Sequence, residues 1–151
     1  MKTKLKLNHK NLYETDYYQW IQKTLEKMRD GDYENLDWEN LIEEIEDMAK
    51  SERRRLENHL VVILLHLLKW DYQRDKRSGS WKSSILEHRR RICKALKDSP
   101  SLKPYLEQVW DECYADALKQ ASAETGIPEE NFPSSCPYTI LQVLDAKFIP
   151  D

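Results

Sequence analysis

The chain has 151 residues, 40% of them hydrophobic and 34% charged, and a formal net charge of −3. This length predicts one domain with its own buried core, and the hydrophobic fraction excludes an intrinsically disordered chain. Three cysteines without a C-x-x-C pair argue against a disulfide framework and against a thiolate zinc site. Three glycines, none adjacent, argue against a phosphate-binding loop and thus against a nucleotide-dependent enzyme.

The beginning of the chain predicts a flexible segment followed by a first helix. Residues 1–11 are rich in lysine and predict the flexible segment, and residues 12–149 predict a single helical domain. Thr15 and Asp16 are typical residues of a helix start. Gly31 is expected to end this helix, because glycine tolerates the left-handed conformation that follows many helix C-termini.

A long second helix is predicted from Trp38 onward, with Asp37 as its N-cap. Residues 38–77 contain neither glycine nor proline. Apolar residues recur there with a helical period: Leu41, Ile42, Ile45, Met48, Ala49, Leu56, Leu60, Ile63, Leu64, Leu67 and Leu68. The polar stretch 50–55 interrupts this stripe, and one continuous helix of about 50 Å is favoured. We expect neighbouring helices to cover the whole stripe.

Three more helices are predicted after the long one. Ser78 to Ser80 start a third helix, and a fourth opens near Ser99 to Ser101 and ends at Gly126. Pro137 starts a short helix that runs through Leu144. The predicted fold is all-α: a four-helix bundle-like single domain with one long central helix and a short C-terminal helix.

The sequence predicts a cytoplasmic protein without a membrane segment. The N-terminus lacks the apolar run of a secretory signal. The longest apolar run, Leu60 to Leu68, is interrupted by His66 and is much shorter than the roughly 20 residues that cross a bilayer.

Charge is distributed unevenly along the chain. Residues 1–49 carry a net charge of −5, residues 50–97 a net charge of +9, and residues 98–151 a net charge of −7. The acidic flanks can pack beside the basic middle and compensate it, or the middle can offer a basic face to an anionic partner. Internal compensation is favoured, because the flanks together offset the middle.

Two histidines and an acidic cluster are candidates for a chemical site. His59, His66 and Trp70 share one helix face, but the histidines lie about 10 Å apart along the axis, too far to bind one metal ion together. Such a histidine is most often a hydrogen-bonded core residue. The acidic cluster, Glu39, Glu43, Glu44, Glu46 and Asp47, could supply oxygen ligands to Mg²⁺ or simply pair with cations of a neighbouring helix. Pairing with cations or solvent is favoured over a metal site, so we predict no cofactor and no bound metal.

Basic residues interleaved with aromatic ones are typical of a nucleic-acid surface. Arg53 to Arg55 point in three directions about 100° apart, however, so they do not form one patch unaided. The candidate binding residues are Glu43, Glu44, Arg53, His59, His66, Trp70, Trp81 and Arg89.

Several stretches together resemble the bacterial family called domain of unknown function 29. They are LYETDYYQW (Leu12–Trp20), NLDWENLIEEIEDMAKSERRRLENHLVVILLHLLKW (Asn35–Trp70), RSGSWKSSILEHRRRI (Arg77–Ile92), SPSLKPYLEQVW (Ser99–Trp110) and AETGIPEENFPSSCPYTILQVLD (Ala123–Asp145). The resemblance implies an all-helical fold and a bacterial, cytoplasmic protein. It brings no established activity and therefore no catalytic residue.

Three functions fit the sequence. The leading hypothesis is a non-enzymatic helical interaction module that binds a protein partner or forms a homo-oligomer, because no catalytic motif occurs and tryptophan and tyrosine are abundant. The first alternative is a nucleic-acid-associated protein that uses the basic segment 50–97. The second is a metal-dependent enzyme that combines Glu43, Glu46 or Asp47 with His59 or His66.

Overall fold

A computed structural model describes residues 12–151, and no β-strand occurs among these residues. The α-helices are α1 (Tyr17–Arg29), α2 (Trp38–Tyr72), α3 (Gly79–Asp98), α4 (Lys103–Gln108), α5 (Trp110–Thr125) and α6 (Ile140–Leu144). The predicted all-α class, with one long central helix and a short C-terminal helix, is confirmed. In the described part of the chain, no helix has both the length and the apolar character that a membrane span requires. The flexible segment predicted for residues 1–11 lies outside the described residues.

The side chains that the sequence predicts as N-caps form capping hydrogen bonds at the starts of α1 and α3. Asp16 Oδ1 accepts a hydrogen bond from the backbone N–H of Gln19 at 3.1 Å, and Ser78 Oγ accepts one from Trp81 at 3.3 Å. Gly31 and Gly126 follow α1 and α5 with positive φ angles of 73° and 76°. These contacts satisfy backbone groups that a helix end leaves free, which is why the sequence locates most helix ends well.

Two helix predictions need correction. The predicted fourth helix is divided into α4 and α5, which meet at Val109, where ψ is 2°. The C-terminal helix begins at Ile140 rather than at Pro137. There, the side chains of Thr139 and Gln142 each accept a hydrogen bond from the other's backbone N–H, so this capping box sets the start of α6.

The chain divides into two compact units, the first ending at Ser51 and the second running from Glu52 to Asp151. Helix α2 contributes its first 14 residues to the first unit and the remainder to the second. The hydrophobic core cluster belongs to the second unit, where Leu60, Leu64 and Leu68 are completely buried. The single domain predicted for residues 12–149 stays a prediction.

The apolar stripe of α2 is covered only in its second half. In the second unit, its leucines and isoleucines pack with Ile85, Ile92, Ala117 and Val143 of the later helices. In the first unit, Trp38, Ile42, Ile45 and Met48 are 49%, 54%, 58% and 66% exposed. The expectation that neighbouring helices cover the whole stripe is therefore wrong for these four residues, whereas Leu41 between them is partly buried. Periodicity identifies the apolar face of a helix but not whether another element covers it.

Candidate protein-interaction surface

Four exposed apolar side chains share one side of the first part of α2. We call Trp38, Ile42, Ile45 and Met48 the apolar face. At about 100° per residue, they fall within an arc of about 120° around the helix. Large apolar side chains grouped in this way on a surface are uncommon outside binding sites.

A row of carboxylates runs beside the apolar face. Glu39, Glu43 and Glu46, which we call the acidic row, have the same i, i+4, i+7 spacing as Trp38, Ile42 and Ile45, and all three are exposed. Residues 37–49 hold six acidic side chains and no lysine or arginine. One edge of the apolar face is therefore negative as far as Lys50, which continues the row at i+4 from Glu46.

Helix α1 and the helical residues 12–15 before it pack on a different side of α2. Tyr13 Oη donates to Glu44 Oε1 and Tyr17 Oη donates to Glu44 Oε2, both at 2.6 Å. These bonds to a carboxylate are the main reason that the pKa of each tyrosine lies above its ordinary value of 10.0. The ring of Trp20 lies edge-on to that of Tyr13 and stacks with that of Tyr17. Of the two predicted glutamates, Glu44 therefore anchors α1, whereas Glu43 belongs to the acidic row.

The start of α2 is fixed by further hydrogen bonds. Asp37 Oδ2 accepts from Trp20 Nε1 at 3.3 Å and from Asn40 Nδ2 at 2.7 Å. The indole Nε1 of Trp38 donates to the backbone carbonyl of Tyr33 at 3.0 Å, which fixes the orientation of this exposed ring. The largest side chain of the apolar face is thus held in one orientation by a contact within the chain.

The predicted histidines occupy a separate place in the second unit. Nδ1 of His59 lies 2.8 Å from Nδ1 of His88, and Nδ1 of His66 donates to the carbonyl of Val62 at 2.8 Å. Burial, followed by nearby cationic groups, lowers the pKa of both His59 and His88 below the ordinary 6.5. Sequence reasoning missed His88, although its spacing from Ile85 and Ile92 places it on the buried face of α3.

The predicted aromatic and basic candidates make contacts within the chain. Trp70 Nε1 donates to the carbonyl of Pro150 at 2.8 Å. The Nζ atom of Lys69 lies 4.5 Å from the ring centroid of Trp81. Cζ of Arg53 lies 5.2 Å from the ring centroid of Tyr105. These are cation–π distances, and together with the Trp70 bond they give all three candidate residues a structural role.

Arg89 is buried, with an exposed fraction of only 3%. Its Nε donates to the carbonyl of Val143 at 2.6 Å and its Nη2 to the carbonyl of Phe148 at 2.9 Å. Its neighbours Arg90 and Arg91 are exposed and share the carboxylate of Glu87, each at 2.9 Å. The three successive arginines of α3 therefore do not form one basic patch.

Among residues 12–151, no three His, Cys, Asp or Glu side chains group closely enough to hold a metal ion. The carboxylates Glu43, Glu46 and Asp47 belong to the first unit, and His59 and His66 belong to the second.

A cleft of about 410 Å³ lies beside α5 and is lined in part by Tyr114, Leu118, Glu129 and Cys136. Burial raises the pKa of both the Cys136 thiol and the Tyr114 phenol. At neutral pH these two groups are therefore protonated, and neither supplies the cleft with an activated nucleophile.

Comparison with known proteins identifies the family of the chain but no biochemical activity. No curated protein and no solved structure matches it. The model of one family matches residues 12–149, nearly the whole chain, which confirms the resemblance seen in the sequence. The chain therefore belongs to the family described as Domain of unknown function DUF29.

Proposed function

We propose that this chain is a non-enzymatic helical interaction module that binds a protein partner through the apolar face of α2. One observation carries the proposal: Trp38, Ile42, Ile45 and Met48 are about half to two thirds exposed on one side of one helix. Burying such side chains against a partner is favourable by roughly 25 cal/mol for each Å² of apolar surface removed from water. Tryptophan and methionine are also enriched at protein interfaces.

The order of the surface also supports binding. The Trp38 ring is oriented by its hydrogen bond to Tyr33, and α1 is attached to α2 by the two tyrosine hydroxyls on Glu44. A surface that is already ordered loses less conformational entropy on association than one that must become ordered, so more of its contact energy appears as affinity.

The contacts of the basic segment 50–97 give less support to a nucleic-acid function. Arg89 is buried, Arg90 and Arg91 share Glu87, and Arg77 donates to the backbone carbonyls of Trp70 and Asp151. A phosphate backbone would have to compete with these internal partners, so the protein partner is favoured.

A cytoplasmic location forms part of the proposal. Cys93, Cys113 and Cys136 are free thiols, and unpaired cysteines are typical of reducing compartments.

Site-specific cross-linking tests the proposed function. A photoreactive amino acid is placed at position 42 on the apolar face and, in a matched control, at position 141. Leu141 is 83% exposed on α6, so the two positions present comparable apolar side chains at different places. We expect a discrete cross-linked protein from position 42 only.

The partner identified by mass spectrometry is then purified and titrated with the wild-type chain and two variants. Ile45→Glu places a charge on the apolar face and should weaken binding at least about tenfold, which corresponds to about 1.4 kcal/mol. Leu141→Glu introduces the same charge elsewhere and should change the affinity less than about twofold. Equal affinities of both variants, or cross-linking only from position 141, would overturn the proposal.

A further inference from the structure

We infer that the partner presents a basic amphipathic helix, with an apolar stripe that packs on the apolar face and a lysine- or arginine-bearing flank that lies along the acidic row. This inference rests on the proposed function and specifies the chemistry of the partner. Two features carry it: the geometry of the apolar face and the charge that borders it.

The geometry favours a helix as the bound element. The apolar face is a narrow strip on one helix, about 15 Å long between Trp38 and Met48. Trp38, Ile42 and Ile45 repeat at i, i+4, i+7, which is the spacing of the seam along which two helices pack. An amphipathic helix can lay its own apolar stripe along such a strip and cover it over its whole length.

The charge favours a cationic flank on that helix. In paired helices, the positions beside the apolar seam carry charges that select the partner and its orientation. Glu39, Glu43 and Glu46 occupy such positions beside the apolar face, and no lysine or arginine occurs within residues 37–49. Opposite charge at the rim speeds association and excludes partners with like charge.

The same charge argues against a second copy of this chain on the apolar face. Two copies of residues 37–49 would bring together two segments with a net charge of −6 each and no cation. An antiparallel arrangement offers the acidic row only Lys50, which continues the row at i+4 from Glu46, so most of the like charge would stay without a basic residue to face. The basic helix α3 of a second copy offers one large exposed apolar side chain, Leu86, which is too little to cover four.

The test uses the full chain and three labelled synthetic peptides of about 18 residues. The first has a leucine and alanine stripe with lysine flanks, the second has the same stripe with glutamate flanks, and the third is the lysine peptide in scrambled order. Affinities are measured by fluorescence anisotropy at about 150 mM salt, where charges separated by more than about 8 Å are screened. We expect the ordered lysine peptide to bind at least about tenfold tighter than the other two.

A charge-reversed protein provides the matched control. In the triple variant Glu39→Lys, Glu43→Lys and Glu46→Lys, all substituted side chains are exposed, so the fold should be retained, which circular dichroism checks. This variant should prefer the glutamate peptide. The single variant Ile45→Glu, in which the acidic row is unchanged, should bind the lysine peptide more weakly than the wild type does.

The outcomes separate the two proposals. If the glutamate peptide binds the wild type as tightly as the lysine peptide, or charge reversal leaves the preference unchanged, the basic partner is wrong and the interaction function stands. Equal binding of the scrambled peptide would show simple charge attraction and also overturn the inference. Light scattering that shows a dimer lost in Ile45→Glu would identify a second copy as the occupant. If no peptide binds and position 42 yields no cross-link, the proposed function itself fails.

Discussion

The Nδ1 atoms of His59 on α2 and His88 on α3 lie 2.8 Å apart, which is hydrogen-bond distance. One ring must donate and the other accept, so the contact requires that at least one Nδ1 carries no proton. Arg55 and Arg91 add positive charge at His59, and His66 and Arg91 do so at His88, whereas Glu87 opposes them. Protonation of both rings to imidazolium would replace this hydrogen bond by repulsion between two cations.

We predict that the stability of the protein falls as the pH decreases below about 6.5. The pKa of both histidines is lowered in the folded chain, so the unfolded chain binds protons at a higher pH than the folded chain does. The stability contributed by this pair is complete above the unfolded pKa of 6.5 and is lost as the pH falls through the folded pKa values. Urea denaturation at several pH values between 5.5 and 8 measures this loss.

His88→Gln is the control for this prediction. Glutamine keeps a polar side chain between the helices but does not titrate, so the variant should show a weaker pH dependence in the same window. Identical slopes for the wild type and His88→Gln would mean that other groups cause the loss.

The two halves of the α2 stripe should respond differently to truncation. Leu64→Ala removes a fully buried side chain and should lower the free energy of unfolding by about 2–5 kcal/mol. Ile45→Ala removes a side chain that is 58% exposed, and it should change that free energy by less than about 0.5 kcal/mol. Alanine also favours a helix more than isoleucine does, so this second change can be slightly stabilising.

Urea denaturation of both variants measures the difference, and Leu65→Ala, at a buried position on the same helix, is a second reference. A loss at Ile45 as large as that at Leu64 would mean that the apolar face is covered in the free protein.

The sequence predicts the helices well because their signals are local. Asp16, Ser78 and Gly126 act within one turn of their own helices, and the helical period of α2 follows from neighbouring residues. The division at Val109 had no comparable signal, because neither glycine nor proline lies there.

The candidate surface could be predicted only in part, because burial and pairing depend on distant residues. The spacing of Ile42 and Ile45 identifies an apolar face, but its exposure depends on where α1 packs. The partners of Glu44 are 31 and 27 residues away, and His88 is 29 residues from His59. The pattern of basic and aromatic residues predicted a binding role for Arg89, whereas hydrogen bonds to two distant carbonyl groups hold its side chain inside the protein.

Arg89→Met should destabilise the second unit strongly. Methionine fills similar space but donates no hydrogen bond, so the carbonyls of Val143 and Phe148 lose their charged donor. The expected loss in free energy of unfolding is about 2–4 kcal/mol. Arg90→Met is the matched control, because Arg90 is exposed and solvent weakens its ion pair with Glu87, so this change should have little effect on stability. Equal losses in urea denaturation would contradict the structural role of Arg89.

Glu44→Ala should loosen α1 from α2 without unfolding the second unit. The change removes the carboxylate that accepts hydrogen bonds from both Tyr13 and Tyr17, and these are the charged type that contributes most to stability. Because the site is partly exposed, we expect a local cost of about 1–2 kcal/mol. Amide hydrogen exchange along α1 measures this local opening directly, since a loosened helix exchanges faster while the core remains protected.

Glu43→Ala provides the matched control for the role of Glu44, because it removes an adjacent carboxylate from the acidic row. Exchange in α1 should then stay within about twofold of the wild type. The variant Tyr13→Phe with Tyr17→Phe removes the donors instead of the acceptor, and combining it with Glu44→Ala should add little further exchange, because both changes break the same two bonds. Fully additive effects would show that Glu44 acts on α1 through some contact other than these hydroxyls.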